Sequence, residues 1–412
     1  MILDRFVILR GVRLLDGSGA PVQLCDIALR GGRIHEVGPN LPSYEGAEEV
    51  RMDGCYVSPG WMDLHTHVFE RYGVFSVPPG DIGLSTGVTT LVDAGSAGAL
   101  SFPDFAERVI AMARENVLAY VNIASPGITH GHAGRPGFVA DHVHRSLHDV
   151  DLAEGVLSKY ASLVVGWKAR LSAVLANNDA DIEAHAFQRL LSLRDRTRLP
   201  MMVHHIKSTI PADDVLQNLQ ERDVYTHLYH GIESSIFDPL TGAPSPQAVA
   251  ARERGVVFDV GHGSGAFRWR IAEMACGEHG FWPDTISSDL HQYNALWPVR
   301  DLATTMSKFL HLGVSLEKVI AMVTDNVAAA LGRESPVLSK ASAGRMAELT
   351  VFTLDEGSYE LPDADGEIRI GDRRITPMAT VKDGEIHPCY GFYSRSNAAD
   401  ILAIELQKVT GR

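Results

Sequence analysis

The residues best suited to chemistry are several histidines, one lysine and one aspartate, each at or near the end of a short apolar run. In MDLHTH, His65 and His67 stand two apart, so on a strand both imidazoles point to one face. Two neutral imidazoles so placed are a ready pair of ligands for a borderline metal such as zinc, although an isolated pair also occurs as hydrogen-bonded core histidines. His204 lies in PMMVHHIKS and His227 in DVYTHLYHG, and four convergent histidines favour a metal over coincidental packing. His204 and the adjacent His205 must face opposite ways; His204 continues the alternation from Met202 and is the expected ligand, with His205 the alternative. Asp289, in PDTISSDLHQYN, can ligate a metal through one oxygen and take a proton from metal-bound water through the other. Its bland alternative is an N-cap or salt-bridging aspartate. Asp63, two before His65, shares the histidines' face and is a candidate to orient a ligand.

Lys168 is the odd member. It ends the run LVVGW with no acid in the surrounding ASLVVGWKARLS, and an unpaired ammonium at the end of a buried strand is costly. A lysine deprotonated by such surroundings can add carbon dioxide and become a carbamate, a carboxylate on a long stem able to bridge two divalent ions. The competing readings are a side chain snorkelling to solvent or one binding a substrate anion.

These residues need a scaffold that brings strand ends together. Between Ser58 and about Gly332, candidate strands (Trp61–His67, Val88–Ala94, Val117–Ala124, Leu163–Lys168, Pro200–His204, Val224–Leu228, Val256–Val260, Thr285–Asp289) alternate with helical stretches such as Phe102–Arg114, Ala180–Arg196, Gln247–Arg254, Asp301–His311 and Leu316–Leu331. Eight strands with helical crossovers predict an α/β fold, a (β/α)8 TIM-like barrel whose chemistry sits at the C-terminal strand ends. An open doubly wound sheet would want a glycine-rich phosphate turn after its first strand, which is absent. The flanks read as short strands broken by turns such as Gly31-Gly32 and Asp53-Gly54. The expected organisation is therefore a small β-sandwich domain from 1–57 together with 343–392, the barrel over 58–335, and a C-terminal helix over 393–412.

Composition narrows the partners. The chain has 412 residues, 45% hydrophobic and 21% charged, with a formal net charge of −14. That charge argues against nucleic acid, which needs a basic stripe. Apolar stretches are strand-length, so no membrane span is expected, and the N-terminus carries charges inside its apolar run, unlike a signal peptide. Four separated cysteines without CxxC spacing fit a reducing cytoplasm.

The ordered set HTH (His65, His67), GWKAR (Lys168), VHH (His204), YTHLYHG (His227) and SSDLH (Asp289) resembles the binuclear amidohydrolase superfamily. The resemblance runs over nearly the whole chain, from LLDGSG and VSPGWMDLHTH to the closing TDNVAAALG, where Val327 stands in place of the family's usual proline. Within the superfamily it is most similar to deacetylase-type metallohydrolases close to dihydroorotases, through GWKAR, THLYHG and FDVGHGSGAF. It implies two divalent ions, usually zinc: one held by His65, His67 and Asp289, the other by His204 and His227. N6-carboxylysine at Lys168 and a hydroxide would bridge them.

The expected activity is hydrolysis of an amide, cyclic amide or ester by that hydroxide, with Asp289 as proton shuttle. No GxSxG elbow is present. Arg170 is a candidate clamp for a substrate carboxylate or else a rim salt bridge. In FDVGHGSGAF, His262, Gly263 and Ser264 are candidate substrate contacts, or the glycines serve a tight turn. SPGITHGHAGRPG, with His130 and His132, is a polar loop beside the expected mouth. With the resemblance, Arg170 suggests a small acylated carboxylic acid, an N-acetyl amino acid or an O-acetyl hydroxy acid, as substrate. A dihydroorotase- or hydantoinase-like cyclic amidase is the alternative; a non-catalytic relative or a mononuclear deaminase fits the full ligand set less well. A homo-oligomer is compatible with this class of barrel.

Overall fold

The computed structural model describes residues 5–70, 75–128 and 139–390, so the expected C-terminal helix and the loop histidines His130 and His132 lie outside the described residues. Five strands come first: β1 (Phe6–Leu14), β2 (Gln23–Arg30), β3 (Arg33–Gly38), β4 (Ala47–Arg51) and β5 (Tyr56–Pro59). Seven follow, β6 (Trp61–Thr66), β7 (Val88–Gly98), β8 (Asn116–Asn122), β9 (Val164–Leu171), β10 (Met201–His205), β11 (Val224–Thr226) and β12 (Val257–Phe258). Three close the described chain: β13 (Leu349–Pro362), β14 (Ile368–Lys382) and β15 (Glu385–Pro388).

Strands from both ends of the chain share one eight-stranded sheet, joined where β5 runs antiparallel to β13 with Val57 opposite Val351. The Gly31-Gly32 turn between β2 and β3 has φ of 57° and 75°, a left-handed pair that glycine adopts without steric cost. Apolar residues of β1, β2, β5, β13 and β14 bury a core of their own, including Val12, Ile27, Val57, Leu349 and Met378.

The second sheet is parallel and runs β6 to β12 in chain order. Thr285–Asp289, expected as a strand, and the following Leu290 form bridges in place of a continuous ladder. Thr285 pairs with Asp259 beyond β12, and Gly263 N donates to Ser288 O at 3.0 Å. On the other side Asp289 N donates to His65 O (2.7 Å) and His67 N to Leu290 O (2.9 Å). The edge strands β6 and β12 therefore meet through this segment. The fold is α/β, a parallel sheet with helical crossovers beside a separate sheet.

β9 is buried along its whole length. Trp167, Ala169 and Leu171 join the large apolar core, which leaves Lys168 and Arg170 on the opposite face of the strand. Beneath the strand ends a smaller apolar cluster includes Leu64, Tyr120, Met202, Val327 and Leu331. Val327 is thus fully buried and packs where the family pattern has proline.

The helix expected over Leu316–Leu331 is two helices, Leu316–Ala321 and Asp325–Ala330. The chain breaks because the sheet needs its carbonyls: Met62 N donates to Val323 O (2.8 Å) and Ile286 N to Met322 O (3.1 Å). Thr324, at φ −133° and ψ −94°, leaves the helical region. The helix expected over Phe102–Arg114 likewise ends at Arg108, followed by a 3-10 turn at Ile110–Met112.

Candidate active site

His65, His67, His204, His227 and Asp289 line one cavity of about 360 Å³. The imidazoles crowd together, with ring centres of His65 and His227 4.9 Å apart and those of His204 and His227 4.4 Å apart. His204 is the cavity residue of the doubled pair. His205 turns away, its Nδ1 3.1 Å from Tyr225 Oη and its Nε2 2.8 Å from Ile210 O.

Hydrogen bonds behind the imidazoles fix which nitrogen faces the centre. Thr226 Oγ1 donates its one proton to Asp259 Oδ2 (2.7 Å), so at 2.9 Å from His65 it accepts from Nδ1–H. His227 Nδ1 lies 2.6 Å from Gly261 O, a carbonyl that only accepts. Both Nε2 atoms therefore carry lone pairs into the site. His67 Nδ1 is bonded to Ser96 Oγ at 2.8 Å. Burial and the neighbouring Lys168 hold His65 and His67 well below the ordinary imidazole range, and burial brings His227 down to about 4, so all three are neutral at pH 7.

Asp289 Oδ1 is buried and accepts no hydrogen bond among the described residues. It lies 3.4 Å from His65 Nε2 and 3.1 Å from His67 Nε2. A carboxylate oxygen facing the lone pair of His65 at this distance is repulsive unless a cation lies among them. One ligating atom from each of His65, His227 and Asp289 falls within a 4.8 Å span, close enough to serve one ion or two adjacent ones. The donor set fits a divalent metal.

Lys168 is completely buried, with Nζ 3.5 Å from His65 Nε2 and, among the described residues, no carboxylate within ion-pair distance. Burial lowers its amine to about 7. Gly95 packs on this side chain: a Cβ there would come within 2.7 Å of Lys168 Cβ and Cγ.

Strain marks two of the cavity residues, both at the ends of short segments. His227 has φ 67° and Asp289 φ 49°, left-handed conformations that side chains other than glycine enter at a cost of about 1–2 kcal/mol each. Asp289 N bonds to His65 O, and Asn294 Nδ2 donates to Asp289 O at 2.7 Å, which holds the turn.

Other expected residues are distributed differently. Asp63 does not contact an imidazole; it accepts from His65 N (3.3 Å) and Ser288 N (3.0 Å) and from the Ser288 hydroxyl, tying β6 to the segment that carries Asp289. Arg170 lines the cavity and is also ion-paired. Its Nε and Nη2 each lie 2.7 Å from an Asp141 oxygen, and its Cζ lies 5.8 Å from the Phe75 ring centre. Ser264 lines the cavity, whereas Gly263 packs on Asp289: a Cβ at Gly263 would lie 2.5 Å from Asp289 Oδ2. His262 is not in the cavity wall. It is fully buried, stacked on Phe267 (ring centres 4.9 Å apart) and bonded to Lys308 Nζ, because the tight turn at Gly261 and Gly263 directs it into the core.

The structure adds residues that motif reading passes over. His291, stacked on Phe75 at 4.2 Å, lines the cavity two positions after Asp289. Its period-two relation to Asp289 was the available signal. Asp141 and Phe75 come from loops, where no periodicity marks them. Lys207 and Ile206 extend the wall beyond β10.

Comparison with known proteins finds named deacetylases and related folds. The chain is 33% identical to a deacetylase of Agrobacterium fabrum over 90% of its own length and 88% of that protein's. It is 32% identical to a deacetylase of Enterococcus faecalis, covering 90% and 96%. A family model described as a deacetylase-like composite domain matches residues 342–387. Among solved structures, a dihydroorotase superposes with a TM-score of 0.82 at 30% identity, over 95% of this chain and all of that one. An adenine deaminase does so with a TM-score of 0.83 at 29% identity, over 93% and 100%.

Proposed function

We propose that this chain, which belongs to the deacetylase-like family with structural neighbours in the amidohydrolase superfamily and is a hydrolytic enzyme, is a binuclear metal-dependent hydrolase that removes the acyl group of a small acylated carboxylic acid, an N-acetyl amino acid or O-acetyl hydroxy acid. The observation that carries the reading is the approach of Asp289 Oδ1 to the lone pair of His65 beside a buried, acid-free Lys168.

His65, His67 and Asp289 would hold one divalent ion, zinc by ligand type, and His204 and His227 the other, with Lys168 shared between them as its carbamate. When bound, the ions supply an activated water at neutral pH and polarise the scissile carbonyl. Burial lowers the Lys168 amine to about 7 and so favours its neutral form, the form that adds carbon dioxide. Asp289 takes the proton of the attacking water and delivers it to the leaving nitrogen or oxygen as the acyl C–N or C–O bond breaks. Gly263, bare of a side chain, leaves Oδ2 its room. Arg170, oriented by Asp141, offers its remaining N–H donors to a substrate carboxylate.

The same reading divides the chain into a small β-sandwich, 1–57 with 343–392, and a (β/α)8 barrel over 58–335. Its support is the two separate apolar cores and the bridging of β6 and β12 through 285–290. Among the described residues no helix is long and apolar enough to cross a membrane.

A cyclic amidase is the second reading, favoured by the match to a solved dihydroorotase. Assay of zinc-loaded protein against N-acetyl amino acids of both hands, O-acetyl hydroxy acids, dihydroorotate and hydantoins separates the two. Turnover of acylated acids supports the first reading; turnover confined to the rings replaces it with the second.

A further inference from the structure

A second buried lysine stands outside the catalytic set. Lys308, on the helix Leu302–His311, is completely buried, and no carboxylate among the described residues lies within ion-pair distance of its amine. Nζ bonds instead to Pro362 O, at the end of β13, and to Nε2 of His262, with Pro298 O at 3.5 Å. The two closer acceptors take two N–H donors, which the amine has whether charged or neutral. His262 is then fixed in one tautomer: Nε2 accepts from Lys308, and Nδ1–H donates to Gly263 O at 2.9 Å. Burial and Lys308 hold its imidazole well below the ordinary range, in keeping with an acceptor.

That bond reaches the substrate cavity in one step. Gly263 packs against Asp289 Oδ2, and Ser264, Gly265 and Ala266 form part of the cavity wall. Glycine at 261, 263 and 265 leaves this turn with little side-chain packing of its own, so its shape depends on what anchors it. Phe267, stacked on His262 with Lys308 Nζ 5.5 Å from its ring centre, closes the same unit.

We propose that Lys308, acting through His262 and Gly263, is a positioning residue that pins the 264–266 wall of the cavity to the end of β13 and thereby sets substrate affinity. The effect on affinity rests on the hydrolase reading above; the effect on the turn does not.

The test uses full-length, zinc-loaded protein carrying Lys308→Met, His262→Leu or His262→Gln. The glutamine amide offers both an acceptor for Lys308 and an N–H for the Gly263 carbonyl; leucine offers neither. Backbone amide exchange over 261–267 should rise at least tenfold in Lys308→Met and His262→Leu and stay near wild type in His262→Gln. On a substrate the wild type turns over, KM should rise about tenfold in the first two, with kcat within twofold and metal content unchanged. Exchange and KM at wild-type levels in Lys308→Met, or His262→Gln behaving like His262→Leu, would overturn the proposal. If Lys308→Met does not fold, the contrast between the two His262 variants decides. Exchange needs no substrate, so it stands even if no acylated acid is hydrolysed.

Discussion

His65 Nε2 lies 3.4 Å from Asp289 Oδ1, and the hydrogen bonds behind the imidazole leave its lone pair facing that carboxylate oxygen. The backbone has paid for this approach with left-handed conformations at Asp289 and His227. A cation among these atoms turns the repulsion into ligation. Removing bound metal by chelation should therefore abolish hydrolysis and lower stability together. At a free metal concentration a thousandfold above Kd the loss is about 4 kcal/mol for each ion, read as a fall in Tm that added zinc reverses. Equal Tm with and without metal would contradict this.

Gly263 combines φ 56° with a Cβ position 2.5 Å from Asp289 Oδ2. Gly263→Ala should cost about 1–2 kcal/mol from backbone conformation alone and lower kcat at least tenfold by displacing the carboxylate. Retained kcat would show that Oδ2 needs no such clearance.

Arg170 is held by two 2.7 Å contacts to Asp141 while lining the cavity. Arg170→Lys keeps the charge but loses the planar fork, so KM for an acylated acid should rise about tenfold or more with both metals retained. An unchanged KM would assign Arg170 to the wall of the cavity alone.

No cysteine is among the described residues that line the cavity. Burial pushes the thiols of Cys25 and Cys276 up to about 11 and about 12, so below those values they stay protonated and unreactive. Iodoacetamide at pH 8 should leave the folded protein unmodified at these two positions and fully active. Inactivation that tracks alkylation of either would contradict the metal mechanism.

The cavity-lining His65, His67, His204, His227 and Asp289 were legible because they end apolar runs, and strand ends are where barrel-like folds place chemistry. Lys168 was readable as an energetic misfit, and the parity of Met202 picked His204 over His205. Reading failed where the backbone departs from its period. Residues 285–290 bond to both neighbours without forming a continuous strand, and the closing helix breaks at Thr324 to lend carbonyls to the sheet. His262 was misplaced because a turn with two left-handed glycines redirects side chains in a way that alternation cannot anticipate. Asp141 and Lys308 gave no local signal, since each acquires its meaning from a partner distant in sequence.

The most direct test of the central claim is Lys168→Ala, assayed for metal content and hydrolysis with and without a small added carboxylic acid. The account predicts loss of activity, weakened metal binding, and partial return of both when the acid occupies the space of the missing carbamate. Two tightly bound ions and full turnover in Lys168→Ala would contradict it.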